Sequence, residues 1–158
     1  MAQSDRPEVG KIGVGVAAII SNGKGQILVG KRKGGFGAGL WQVPGGHLEF
    51  KESVLDCAAR EAEEETGLRV KPVKVVDVTN DVFDAANKHY VTFFVFCQMV
   101  DETQEPQLME PDKCHGWSWQ TWQYLIDIKN SGRESGEELF APLTHLFEQT
   151  ADLSKLPV

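Results

Sequence analysis

The stretch GGHLEFKESVLDCAAREAEEETGL, residues 45–68, decides how the fold is read, because it crowds five glutamates into its last seventeen positions. Three of them, Glu63, Glu64 and Glu65, are contiguous. Ser53, followed three residues later by Asp56, is a capping-box pattern, which predicts a helix starting near Val54. Gly67 supplies a stop just past its end. At roughly 100° per residue, Glu61, Glu64 and Glu65 fall within an arc of about 100°, on the edge that also carries Val54 and Ala58. Glu63 and Asp56 point the other way, toward solvent. Like charges at i, i+4 weaken an isolated helix by a few tenths of a kcal/mol. The macrodipole adds to the conflict near the C-terminus, and partial burial raises each carboxyl's pKa. A hard divalent cation with oxygen ligands removes that conflict, and Mg2+ or Mn2+ suits such a set. The plainer alternative is a solvated acidic face. Arg60, four residues before Glu64 and eight after Glu52, can pair with either and hold the preceding loop against the helix.

Working outward, IGVGVAAII (12–20) and QILVGKR (26–32) flank SNGKG, an asparagine–glycine turn signal, and predict a hairpin. KGGFGAG (33–39) reads as a mobile pocket rim. It is not a phosphate-binding P-loop, since no G-K-[ST] follows and no helix opens there. LWQVP (40–44) predicts a short strand leading into Gly45–Gly46. Beyond the acidic helix, 70–83 and 89–100 are strand-like, rich in valine and phenylalanine. A polar connection (101–113) and a short strand, CHGWSW (114–119), follow. Two helices are expected, over 120–128 and within 136–150, separated by a polar loop at 129–136. This order predicts a mixed sheet with helices on its faces.

The chain has 158 residues, 41% hydrophobic and 25% charged, a composition ordinary for one globular domain. We expect a single domain over 1–158, with residues 1–10 flexible. The net charge of −7 argues against a grip on nucleic-acid polymers. It leaves room for a small phosphorylated substrate if a cation supplies the missing positive charge. Cys57, Cys97 and Cys114 are odd in number and form no C-x-x-C pair, consistent with reduced thiols in the cytoplasm. No signal peptide is read at the start, and the longest early apolar run is too short to span a bilayer.

Read as a spaced pattern, Gly46-x5-Glu52-x7-Arg60-Glu61-Ala62-x-Glu64-Glu65-x-Gly67-Leu68 resembles the signature box of the Nudix hydrolases, G-x5-E-x7-R-E-U-x-E-E-x-G-U, where U is bulky and aliphatic. Every fixed position is filled, with Ala62 small for a U position. The resemblance implies an α/β/α sandwich with a mixed sheet and a catalytic loop–helix–loop. It implies hydrolysis of a nucleoside diphosphate linked to another moiety. By position, Glu61 and Glu65 would be metal ligands, and Glu64 a further ligand or the residue that activates water. Arg60 and Glu52 would complete the catalytic set as structural partners. The pair Gly45–Gly46 would give the metal a backbone approach.

The likeness continues outside the box. GKRKGGFGAGLWQVPGGHLEFKES is similar to MutT-type enzymes, and most closely to a eukaryotic subgroup with L-P-G-G-H-L-E-F-G-E. VTNDVF, HYVT, EPQLMEPDKCHGWSW and LFAPLTHLF line up with it in order. That implies a homodimer acting on oxidised or modified purine nucleotides such as 8-oxo-dGTP. Some plant relatives instead cut isoprenyl diphosphates. Lys51 stands where the subgroup usually has glycine, outside the fixed pattern, with little expected effect. Residues 125–138 are longer than the subgroup's connection, and Ala141 replaces an aromatic residue. Substrate contacts are expected from Arg32, Gly46, His47, Asn80 and Phe140, with Glu110 as an extra ligand or base. For Arg32 the alternative is an exposed strand end, and for His47 a structural histidine. His89, His115 and His145 read as structural, and Trp117 and Trp119 as core or dimer packing. The reading is a metal-dependent pyrophosphohydrolase releasing a monophosphate and pyrophosphate, soluble and cytoplasmic. A non-nucleotide diphosphatase and an inactive nucleotide-binding protein are the alternatives.

Overall fold

A computed structural model of the protein describes residues 10–158; the expectation for residues 1–9 lies outside them. Strands β1 (Ile12–Ser21) and β2 (Ile27–Arg32) form the hairpin, and β3 (Trp41–Gln42) and β4 (Gly45–His47) follow. Helix α1 (Val54–Thr66) separates these from β5 (Val70–Phe83) and β6 (Lys88–Met99). The chain then continues through β7 (Cys114–Gln120), α2 (Trp122–Ser135) and α3 (Ala141–Gln149). The strands make one mixed sheet ordered β3-β2-β1-β6-β5, with β4 paired to β1 and β7 paired to β2. The long parallel pairing of β1 with β6 runs from Ile12↔His89 to Ser21↔Gln98 and forms its centre.

Two-residue alternation along β1 assigns the layers. Ala17 and Ile19 face Leu125, Leu143, Leu146 and Phe147 of α2 and α3. Val16, Ala18 and Ile20 face Cys57, Ala58 and Ala62 of α1. The chain is thus an α/β/α sandwich. Ala62 is fully buried, at the point where α1 packs beside the sheet. Trp117 and Trp119 pack partly buried against the α1 layer. None of the helices among the described residues is long and apolar enough to cross a membrane.

Helix α1 starts and stops where its caps predict. The Ser53 hydroxyl accepts from the Asp56 N–H at 3.0 Å, and Gly67 ends the helix in the left-handed region with φ 72°. Residues 129–136 are not the expected polar loop: α2 runs on to Ser135, and Gly136, with φ 71°, is its C-cap. Thr121 caps the helix start by accepting from the Tyr124 N–H at 3.1 Å, and the helix then propagates through polar residues on its solvent side. Gly132 inside it leaves room for the returning chain, because a Cβ there would lie 3.0 Å from the Glu137 carbonyl. The longer connection is absorbed as extra helix.

Lys51 has a positive φ of 68°. A left-handed conformation costs a side-chain-bearing residue about 1–2 kcal/mol, which gives glycine at this position a physical reason. Lys51→Gly should therefore stabilise the fold by about 1 kcal/mol after the extra chain entropy of glycine. Chemical denaturation checks this, and an unchanged or lower midpoint would contradict it.

Candidate active site

Four elements converge on one corner of the sheet. The glycine pair of β4 lies against β1, through Ala17↔Gly45 and Val16↔Gly46. The loop 48–53 then returns the chain to α1, and Arg60 binds the two together. Its Nε and Nη2 donate to the Glu52 carboxylate at 2.6 and 3.0 Å. Nη2 also donates to the His47 carbonyl at 3.1 Å. Nη1 reaches Glu61 at 2.9 Å and Glu64 at 3.2 Å. One guanidinium therefore serves both partners anticipated for it, and Glu61 as well. The Arg60 hydrogen bonds hold the Glu52 carboxyl down at about 2.

The helix edge carries the expected gradient of exposure. The Glu61 side chain is 12% exposed and that of Glu64 is 53% exposed. Burial pushes the Glu61 carboxyl up, against the pull of Arg60. Burial, reinforced by the Glu61 charge, pushes Glu65 further, to about 8. The Gly45 N–H donates to Glu65 at 3.4 Å, and the Trp117 indole N–H donates to the Glu65 carbonyl at 3.1 Å. Gly46 has no room for a side chain, because a Cβ would overlap the Glu61 carboxylate. Glu110, paired with Lys113 at 3.2 Å, lines the same cleft as Glu61, Glu64 and Glu65.

Two partly buried carboxylates beside a bare backbone suit a hard divalent cation. Glu61 and Glu65 are the residues best placed to hold one. Among the described residues no three acidic, histidine or cysteine side chains are already gathered as a metal cluster. Arg60 pairs with both Glu61 and Glu64.

A second cavity opens beside the acidic cleft. Its walls are aromatic: Phe36, Phe83, Tyr90, Phe94 and Phe140. Phe83 and Phe140 stack with centroids 5.5 Å apart and planes 19° from parallel. Phe36 meets Phe83 edge-on at 4.6 Å. Six residues border both cavities: Arg32, Phe36, Gln42, Gly45, Gly46 and His47. Arg32 sits over the Phe140 ring at 4.1 Å and donates to Gln42 at 2.8 Å and to the Phe36 carbonyl at 3.0 and 3.1 Å. It is therefore no loose strand end.

Of the expected substrate contacts, Arg32, Gly46, His47 and Phe140 come together here. Asn80 does not. It lies on the exposed side of β5, bonded to His89 at 2.6 Å, because residues of odd number on this stretch, Thr79 and Asp81, take the buried side. Phe36, Phe83, Tyr90 and Thr92 were not singled out from the sequence. Phe36 lies inside the glycine-rich rim, and the other three lie in VTNDVF and HYVT, stretches noted only for their likeness. His145, read as structural, bonds the fully buried Asp81 at 2.6 Å.

Solved structures share this arrangement of loop, helix and sheet. MutT protein from Methanosarcina mazei Go1 superposes with a TM-score of 0.71 at 25% identity, covering 87% of this chain and 91% of that one. A MutT NUDIX hydrolase from Burkholderia pseudomallei superposes with a TM-score of 0.63 at 31% identity, covering 69% and 82%. The architecture is that of the Nudix fold.

The family profile described as NUDIX domain matches residues 11–141. The chain belongs to the Nudix family. Nudix hydrolase 6 of Arabidopsis thaliana is 37% identical over 131 residues, which are 82% of this chain and 44% of that protein. The m7GpppN-mRNA hydrolase NUDT17 of Xenopus laevis is 23% identical over 141 residues, 79% of this chain and 48% of that protein. The chain thus spans about half the length of these curated relatives. Nudix hydrolases generally use divalent metal cations.

Proposed function

We propose that the protein is a pyrophosphohydrolase that cleaves a phosphoric anhydride bond in a purine nucleoside triphosphate, a modified one such as 8-oxo-dGTP by preference, to the monophosphate and pyrophosphate. The observation that carries this reading is the shared border of the two cavities. A carboxylate-lined cleft and an aromatic pocket meet at Arg32, Gln42 and Gly45–His47, so one molecule with a polyphosphate end and a flat end spans both.

Glu61 and Glu65 would hold Mg2+ or Mn2+, with Glu64 at the exposed end of the same edge and the Gly45–Gly46 backbone beside it. A bound divalent cation polarises the phosphoryl oxygens and lowers the pKa of an attacking water. Arg60 orients Glu61 and ties the loop to the helix through Glu52. Glu64, the most open of the three, would be a further ligand or take the proton from water. Catalysis of this kind rests on positioning and charge neutralisation. Phe83 and Phe140 offer faces for the base, and His47, held to the Tyr90 hydroxyl at 3.2 Å, stands where the two ends of the ligand would join. All three cysteines are free and buried, which supports a reducing, cytoplasmic setting. We further propose a homodimer. The exposed Val75, Val78 and Val82 of edge strand β5 support it, and sedimentation of the wild type against Val78→Glu tests it.

The apolar character of the pocket walls favours one second reading, an isoprenyl diphosphate as substrate. A panel of 8-oxo-dGTP, dGTP, ADP-ribose and geranyl diphosphate with Mg2+ separates the two, with products identified by mass spectrometry and Glu64→Gln as control. Monophosphate plus pyrophosphate from a purine triphosphate, absent in the control, is the expected result. Turnover of geranyl diphosphate with nucleotides inert would overturn the nucleotide reading.

A further inference from the structure

The floor of the aromatic pocket carries one polar side chain with a fixed polarity. Thr92 lines this pocket and is only 6% exposed. Its hydroxyl lies 2.7 Å from Oδ2 of Asp81, a residue with no exposed surface. The same oxygen accepts from the Thr79 hydroxyl at 3.0 Å, and Oδ1 is held by His145 Nδ1 at 2.6 Å. A carboxylate only accepts, so the single Thr92 proton is committed to Asp81. What the hydroxyl retains is lone pairs.

The backbone opposite leaves those lone pairs reachable. Gly15 pairs with Thr92 across the β1–β6 ladder and also lines the pocket. A Cβ on Gly15 would lie 3.4 Å from Thr92 Oγ1, occupying the space a ligand atom needs. Gly15 thus opens a window onto a hydrogen-bond acceptor on the sheet side of a pocket whose other polar side chains are Arg32, Gln42, His47, Lys88 and Tyr90. A ligand that brings a donor to this spare lone pair gains a hydrogen bond that one without a donor cannot make, and is selected over it.

We propose that Thr92 is a specificity-determining residue that accepts a hydrogen bond from an N–H on the substrate's ring, with Asp81 and His145 as positioning residues that fix its polarity. The inference rests on the nucleotide reading above and narrows it. The favoured ring is a heterocycle carrying a ring N–H, as a 6-oxopurine does. A hydrocarbon chain, or a purine with only ring acceptors, brings no donor to Thr92.

The test compares inosine triphosphate, which has an N1–H, with purine riboside triphosphate, which has no ring N–H, by their ratio of kcat/KM. The wild type should prefer the inosine form by about tenfold, expressed mainly in KM. Thr92→Val should remove that preference, and Thr92→Ser should keep it. Asp81→Asn can present an N–H to Thr92 and turn its hydroxyl proton toward the pocket, so the preference should shrink or reverse. Gly15→Ala leaves all these hydrogen bonds in place and narrows the window, so it too should lower the ratio, independently of any folding defect in the other variants. Both nucleotides turned over with a ratio that Thr92→Val and Gly15→Ala leave unchanged would overturn the role of Thr92 while leaving the nucleotide reading standing. Neither nucleotide turned over, with geranyl diphosphate cleaved, would overturn both.

Discussion

Glu65→Gln should lose about a thousandfold in turnover and yet give a metal-free protein that is more stable at neutral pH than the wild type. The two effects share one cause. Glu65 is partly buried beside Glu61, and its carboxyl is pushed up from an ordinary 4.5 to about 8. A carboxyl with a raised folded pKa binds more protons in the native state than in the unfolded one. Its favourable contribution is therefore complete below about pH 4.5 and is lost as pH rises toward 8. Glutamine cannot ionise, so thermal melts in chelator should lose this slope. The loss of activity follows from the cation, whose stabilisation of the transition state is worth several kcal/mol, and each ~1.4 kcal/mol is a factor of ten in rate. With Glu65 in the ligand role proposed for it, metal binding to the wild type would expel the Glu65 proton. Mg2+ affinity should thus weaken by up to about tenfold per pH unit below 8; titration calorimetry in buffers of different ionisation enthalpy would count the proton. A variant that kept its activity, or that melted with the wild-type pH slope, would remove Glu65 from the metal site.

The second large effect is expected from Arg60→Ala. Arg60 is the sole described cation on Glu52 and Glu61, whose side chains are only 14% and 12% exposed. Removing it strands two poorly solvated charges and frees the His47 carbonyl from its guanidinium partner. Breaking a buried ion pair from one side costs about 3–5 kcal/mol. Arg60 itself is a quarter exposed, so about 3 kcal/mol is the expectation. The sign with pH is opposite to that of Glu65. Arg60 lowers Glu52 to about 2, so the clasp is fully effective above the ordinary carboxyl pKa and fails as pH falls from about 4.5 to 2. Arg60→Ala should therefore flatten the acid limb of the stability profile. Adding Glu52→Gln to it should recover part of the loss, because one of the stranded charges is gone. If the single variant melts with the wild type at pH 7, the clasp does not hold the loop to the helix.

The architecture was legible because its determinants are local. The apolar run of residues 12–20, the asparagine–glycine turn, Ser53 and Gly67 each act within a few residues of themselves. The spacing of Glu61, Glu64 and Glu65 is likewise a property of one helix. The α2 boundary was misjudged because two glycines, Gly132 and Gly136, carry the same stop signal. Only Gly136 reaches the left-handed region and ends the helix. The left-handed backbone of Lys51 is invisible in the residue's identity.

By itself, then, the sequence determined the layered sheet, the carboxylate edge of α1 and the family it marks. The tertiary structure alone decided which side chains line the two cavities. Asn80 and Asp81 are neighbours in sequence, yet pleating sends one to solvent and the other beneath the pocket to fix Thr92. Phe36, Phe83 and Phe140 lie far apart in the chain and meet only because a loop, a strand end and a helix start close over one corner of the sheet. Such contacts depend on long-range register, and no pattern within a few residues encodes them.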